Sequence, residues 1–138
     1  MNTARSTRDG FLHLLFWLLL ANALASILHY GDNLLYFEEY PEPGWINRSI
    51  IDAFWFVMTP FALIGYQAVK RGQAGFGGIC LYLYAAGGLL VLGHYRYAPM
   101  CSIVPRIHAL ILLEAGLAVA LVAVVLVHQI RGTSRIRA

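Results

Sequence analysis

Apolar residues in this chain gather into four long blocks, Phe11 to His29, Ile50 to Val69, Phe76 to His94 and Ile107 to Val127, separated by short polar stretches. Each block is close to the roughly 20 residues that a helix needs to cross a 30 Å hydrocarbon core. Helix start signals support the reading. Ser6-Thr-Arg-Asp9 and Ser49-Ile-Ile-Asp52 both have capping-box form, and Pro105 suits the first turn of a fourth helix. Pro60 is the one mid-span proline, and Thr59 beside it is expected to help satisfy the backbone that proline frees. The pattern predicts an all-α, integral membrane four-helix bundle, a single domain over residues 1–138, with no internal repeat or linker.

Composition agrees with the pattern. Hydrophobic residues make up 59% of the 138 and charged ones only 12%, so there is too little charge to coat a soluble domain of this size. Disorder is excluded on the same grounds. The net charge of +3 does not point to nucleic acid, because the basic residues stand in short groups beside the apolar blocks rather than in a stripe. Cys80 and Cys101 show no CxxC spacing, and helical rise between them puts them too far apart to bridge.

Those basic groups predict orientation. Arg5, Arg8, Lys70, Arg71, Arg131, Arg135 and Arg137 lie at one set of helix ends, against Arg48, Arg96 and Arg106 at the other. The positive-inside rule then puts both termini in the cytoplasm. A rival reading takes Arg5, Arg8, the first apolar block and Ala23-Leu-Ala25 as a signal peptide with an A-x-A site. The block is longer than a usual signal core, so the expectation is an uncleaved helix.

The first outer loop, from Tyr30 to about Ser49, is then the longest connection. It collects Asp32, Glu38, Glu39 and Glu42 with Tyr36, Phe37, Tyr40 and Trp45 around Pro41, Pro43 and Gly44. Prolines and glycine impose turn or polyproline geometry, and the rings suit the headgroup zone. A structured aromatic and acidic loop lying on the membrane is expected, its acids tolerated because water reaches them. Within it the HYGDN and YPEPGW segments are distinctive.

Helical spacing sorts the remaining polar residues. Asn22, His29 and Asn33 share one face of a first helix continued slightly beyond its core. Asp52, Trp55, Thr59 and Tyr66 share a face of the second, and Cys80, Tyr84, Gly87, Gly88, Val91 with His94 or Tyr95 a face of the third. The Gly77-Gly78 and Gly87-Gly88 pairs read as places where a neighbouring helix approaches closely. On the fourth helix Glu114 lies six residues, or about 9 Å, deeper than His108 and about 120° around the axis from it.

Glu114 is the most informative single residue, because an ionisable group inside a span costs several kcal/mol unless paired, neutral or wet. The structural reading is a protonated carboxyl pinning two helices through Tyr84 or Asn22. The functional reading is an outer-facing site. His29, Asp32, His94, His108 and Glu114 all fall toward the outer ends, with Asn22, Asn33, Asp52, Tyr84 and Tyr95 as supporting polar groups. These residue types match a zinc, copper or iron site, or haem held between two histidines, although no HExxH, ExxH or CxxC is present. Asp52 has a capping role available, and Glu38, Glu39 and Glu42 read as a solvated loop face. Asn47-Arg-Ser49 is a sequon discounted for its closeness to the second helix.

Three functional expectations follow. The first is a membrane protein binding a transition metal or metal cofactor in a His/Asp/Glu cavity that faces the periplasm or exterior. The second is an accessory or assembly subunit of a larger membrane complex, or a homo-oligomer packed on Ala115, Gly116, Ala118 and Ala120. The third is an enzyme doing acid/base chemistry on a lipid or isoprenoid, with Glu114 as a desolvated acid and a histidine as base. Transport lacks its usual inverted repeat or broken helices.

Overall fold

A computed structural model describes the backbone of residues 2–136 and the side chains of residues 7–131. The protein is all-helical, and four helices are long and apolar enough to cross a membrane: Thr7–Leu35, Arg48–Lys70, Ala74–Tyr97 and Pro105–Arg131 within the described residues. In chain order these belong to α1 (Asn2–Leu35), α2 (Arg48–Lys70), α3 (Ala74–Leu89) continued into the single turn α4 (His94–Tyr97), and α5 (Pro105–Ile136). Short 3₁₀ turns at Phe37–Glu39, Leu90–Gly93 and Met100–Ser102 join or extend them. The helices form a ring in which α1 touches α2 and α5, and α3 touches α2 and α5. One end of the bundle, the terminal end, holds the start of α1, the end of α5 and the α2–α3 turn; the other, the loop end, holds residues 36–47 and 98–104.

Local chemistry explains the boundaries, and several differ from expectation. α1 is already helical at Ser6, so the helix does not begin at the Ser6–Asp9 box. At its other end α1 runs through the HYGDN segment to Leu35, and the loop begins at Tyr36 rather than Tyr30. α2 starts two residues earlier than the Ser49 box predicts, because Asn47 is its N-cap and its side-chain oxygen accepts a 3.0 Å bond from the Ile50 N–H. Asp52 is thereby freed for another partner. Pro60 lies inside α2, and the Thr59 hydroxyl donates to the Trp55 carbonyl at 2.7 Å. That carbonyl is one residue before the one a missing Pro60 N–H leaves unpaired, so the expected rescue misses by one position.

Between α2 and α3 the chain turns in three residues, with Gly72 at φ +86°, the left-handed region where a side chain is strained. The two helices then press together. A Cβ on Gly77 would lie 2.6 Å from Val69 Cγ2 and 2.9 Å from the Gly65 carbonyl oxygen and the Val69 nitrogen. Here the expectation of glycine-mediated packing holds.

Two buried clusters fill the ring. The larger, at mid-height, packs Leu15, Leu19, Leu81, Tyr84, Leu121 and Val125 with small residues between them. The smaller, at the loop end, packs Tyr40 on Ile103, Ile107 and Ile111. Outward faces stay apolar, with Trp17, Leu28, Phe56, Val57 and Leu63 more than half exposed, as lipid permits and water would not. Ala115 and Ala118, expected on a dimer face, are buried inside this chain, Ala118 against Gly88.

The third span is not one continuous α-helix. From Tyr84 to His94 there are ten steps, and a plain α-helix would leave the two side chains about 80° apart. Four of those steps pass through the 3₁₀ turn at about 120° each, which brings the total to about three full turns and returns His94 to the side of Tyr84. Both line the same cavity.

Candidate functional site

A cavity of about 560 Å³ opens in the loop-end half, enclosed by α1, α2, α3 with its extension, and α5. Its α2 wall is apolar and aromatic, with Ile51, Phe54, Trp55 and Met58. The opposite wall is polar. α1 contributes Asn22, Ser26, His29 and Asn33 at helical spacing, α3 and α4 contribute Tyr84 and His94, and α5 contributes Glu114.

At its centre, His29 Nδ1 lies 2.6 Å from Glu114 Oε2, and the two residues are only 4% and 8% exposed. With Glu114 as a carboxylate, which can only accept, Nδ1–H would be the donor and the lone pair of the ring would be left on Nε2. Nε2 is buried and has no hydrogen-bond partner in the structure. The buried carboxylate therefore has one strong partner, an imidazole, rather than the Tyr84 or Asn22 of the structural expectation. Asn22 is committed to backbone, donating to the carbonyls of Leu18 at 2.8 Å and Leu117 at 3.2 Å.

A second pair stands beside the first. His94 Nδ1 is 3.6 Å from Glu42 Oε1 and 3.5 Å from the Pro41 carbonyl. Asn33 Nδ2 donates to the same Glu42 oxygen at 3.1 Å, while buried Asn33 Oδ1 has no partner. Three rings join the pairs: His29 stacks on Tyr40 with centroids 5.6 Å apart, His94 meets His29 at 5.6 Å, and Tyr40 meets His94 edge-on at 5.3 Å.

Tyr40 is the wedge that the first loop drives into the bundle. It is 5% exposed, and its hydroxyl donates to Asp32 Oδ2 at 2.8 Å. Asp32 in turn pairs with Arg106 Nε at 2.9 Å, and Arg106 Nη2 reaches Glu39 at 2.9 Å with its guanidinium 3.8 Å over the Tyr36 ring. Thus the HYGDN and YPEPGW segments close on each other, clamped by an arginine from the start of α5. On the other flank the Tyr30 hydroxyl donates to Asp52, and Tyr30 stacks on Trp55.

Burial, and then the bond to Asp32, raises the Tyr40 phenol well above its ordinary value of about 10. A raised folded-state value means the neutral phenol is favoured by folding. Its contribution is complete below about pH 10 and is lost as pH climbs past that unfolded-state value. Tyr40→Phe should flatten this alkaline loss in a pH series of thermal melts. An unchanged alkaline slope would disprove the assignment.

The structure thus brings together His29, His94 and Glu114, with Asn22, Asn33 and Tyr84 on the same cavity. It places the others elsewhere. Asp32 is turned to Arg106 and Tyr40. His108 pairs with the Tyr95 hydroxyl at 2.9 Å, on a part of α5 that does not line the cavity. Asp52 lies outside the lining, bonded to Tyr30. The loop acids are not merely solvated, since Glu39 pairs with Arg106 and Glu42 with His94 and Asn33. Sequence reasoning passed over Tyr40, Glu42 and Arg106 as site components, and the one available signal was the odd make-up of YPEPGW itself. Among the described residues no group of three or more His, Cys, Asp or Glu side chains is arranged to hold a metal ion. No protein-family model, curated protein or solved structure matches this chain.

Proposed function

We propose that this protein takes a lipid-soluble molecule of lipid or isoprenoid class into the loop-end cavity and transfers a proton at its polar group. The observation that carries this is the buried His29–Glu114 pair at 2.6 Å in the wall of a cavity whose other side is apolar. Glu114 holds the imidazole by Nδ1–H and stabilises the cation that forms when Nε2 accepts a proton, the logic of a carboxylate-oriented base. A proton taken from one position and returned at another is an isomerisation, and it balances without any co-reactant. Apolar Phe54, Met58 and Ile51 suit a hydrocarbon chain. The basic residues at the terminal end support a cytoplasmic side for both termini, with the cavity then opening toward the non-cytoplasmic leaflet.

A solvent-exchange experiment tests this without knowing the substrate. Purified protein is incubated with total membrane lipid in deuterated water, and the lipids are analysed by mass spectrometry. One lipid species should gain deuterium with the natural sequence and not with Glu114→Gln or His29→Gln. Equal labelling with and without protein would refute proton transfer.

A second reading rests on the same pair, because a carboxylate on Nδ1 is also how metal-binding histidines are oriented, leaving Nε2 for the ion. In that case a transition metal, zinc, copper or iron, or a haem, would draw His29 and His94 together, their rings now 5.6 Å apart. Stoichiometric metal or a Soret band in the purified protein would favour it. A co-purifying protein with neither would favour the accessory-subunit role.

A further inference from the structure

The acid/base site leaves the opposite end of the bundle unexplained. There a groove of about 510 Å³ runs between α1 and α5. Its deep walls are Leu14 and Val127, and its mouth carries two guanidinium groups, Arg8 and Arg131, with His128 stacked flat on Phe11 at 3.5 Å. Arg8 spends one nitrogen on the Lys70 carbonyl, at 2.7 Å, which draws α2's basic end with Lys70 and Arg71 toward the same mouth. Among the seven acids of the chain only Asp9 falls at this end, and it does not line the groove.

We propose that this groove binds one anionic glycerophospholipid of the adjoining leaflet, its phosphate between Arg8 and Arg131 and an acyl chain lying against Leu14 and Val127. Three features point to this class. The arginines form planar forks suited to a phosphodiester, and none of the described residues lining the groove carries a carboxylate for the ammonium of a zwitterionic headgroup. The apolar wall starts where the charge ends: Leu14 is six residues along from Arg8, about 9 Å deeper at helical rise. The described part of the first span begins at Thr7 and that of the fourth ends at Arg131, so in a bilayer the guanidiniums would stand at headgroup level and Leu14 within the acyl region. A free phosphate would satisfy the mouth and leave the walls bare, which separates the two sources.

Full-length protein in a neutral detergent is titrated with phosphatidylglycerol, phosphatidylcholine or inorganic phosphate, and bound species are counted by native mass spectrometry. At the gain typical of one basic residue near a membrane surface, about fivefold each, two arginines imply a preference for phosphatidylglycerol over phosphatidylcholine of roughly 25-fold. Arg8→Gln/Arg131→Gln should bring the two lipids level. Because Arg8 also ties α1 to α2, a second variant leaves the charges alone. Gly10 lines the groove with open space where a side chain would go, so Gly10→Leu should fill it, keep the melting temperature and lose at least tenfold in phosphatidylglycerol binding. Equal binding of the two lipids by the natural sequence would overturn the proposal. So would displacement of the lipid by inorganic phosphate at equal concentration, or unchanged binding in Gly10→Leu. Each readout is independent of the loop-end cavity.

Discussion

Replacing His29 with leucine is expected to cost about 3 kcal/mol of stability or somewhat more, the upper end for leaving a buried charged acceptor without its hydrogen-bond donor. The buried Glu114 carboxyl is then left with its 2.6 Å partner gone. Glu114→Leu removes the other half and leaves an imidazole with both nitrogens unpaired, a smaller penalty of about 1–3 kcal/mol. The decisive variant is the double one. His29→Leu/Glu114→Leu restores an apolar contact between α1 and α5 and should recover most of the loss, since a hydrophobic replacement of a buried pair is often neutral or better. Thermal melts of the four proteins in one detergent complete the cycle. Additive losses would mean that the two groups are not coupled, and the site would lose its centre. Deuterium exchange into lipid should vanish in all three variants, including the restabilised double, which separates the chemistry from the packing.

The second large effect lies far from that pair. Gly77→Leu should destabilise the protein by about 2–3 kcal/mol or prevent α2 and α3 from packing, an overpacking cost at its upper end. The reason is that the new Cβ meets backbone, at 2.9 Å from Gly65 O and Val69 N, and backbone cannot rotate away as a side-chain tip can. Gly77→Ala tests the same contact at its smallest. Alanine gains about 1 kcal/mol of helix propensity over glycine, so a net loss in Gly77→Ala can come only from the helix contact. A melting temperature equal to or above that of the natural sequence would show that the two helices are not in contact there.

Much of the architecture was legible along the chain because lipid solvation removes ambiguity. Every backbone group in a span must bond within its own helix, so an apolar block near 20 residues becomes a helix wherever it sits. Pro105 marked the start of α5 correctly for a local reason, its fixed φ. Caps were less legible. Ser49 and Asn47 are both good N-caps by type, and the choice of Asn47 came from where the loop delivers the backbone.

The site was legible only in part. Glu114 stood out because a carboxyl in a span needs a reason, and His29 and His94 fell at the same end. His108 satisfied that criterion too, yet it lies about 120° around α5 from Glu114, and the structure pairs it with Tyr95. Depth was readable from residue number, whereas facing depended on which neighbour each helix turned toward. The loop acids were misread in a similar way. Their positions beyond the spans explained why charge is tolerated, but their partners, above all Arg106 more than 60 residues away from Asp32 and Glu39, came from folding the loop over the bundle.

By itself, then, the order of residues determined four membrane-length helices and the end of the bundle where ionisable groups collect, while α1 and α5 run about ten residues or more beyond their apolar blocks. Those properties are set by local hydrophobicity and backbone hydrogen bonding, which need no information about neighbours. Tertiary structure decided that His29 bonds Glu114, that a 3₁₀ turn swings His94 onto the Tyr84 side, and that Tyr40 plugs the rim under an Arg106 clamp. Each of these depends on the rotation of one helix against another, and rotation is fixed by contacts between residues far apart in the chain.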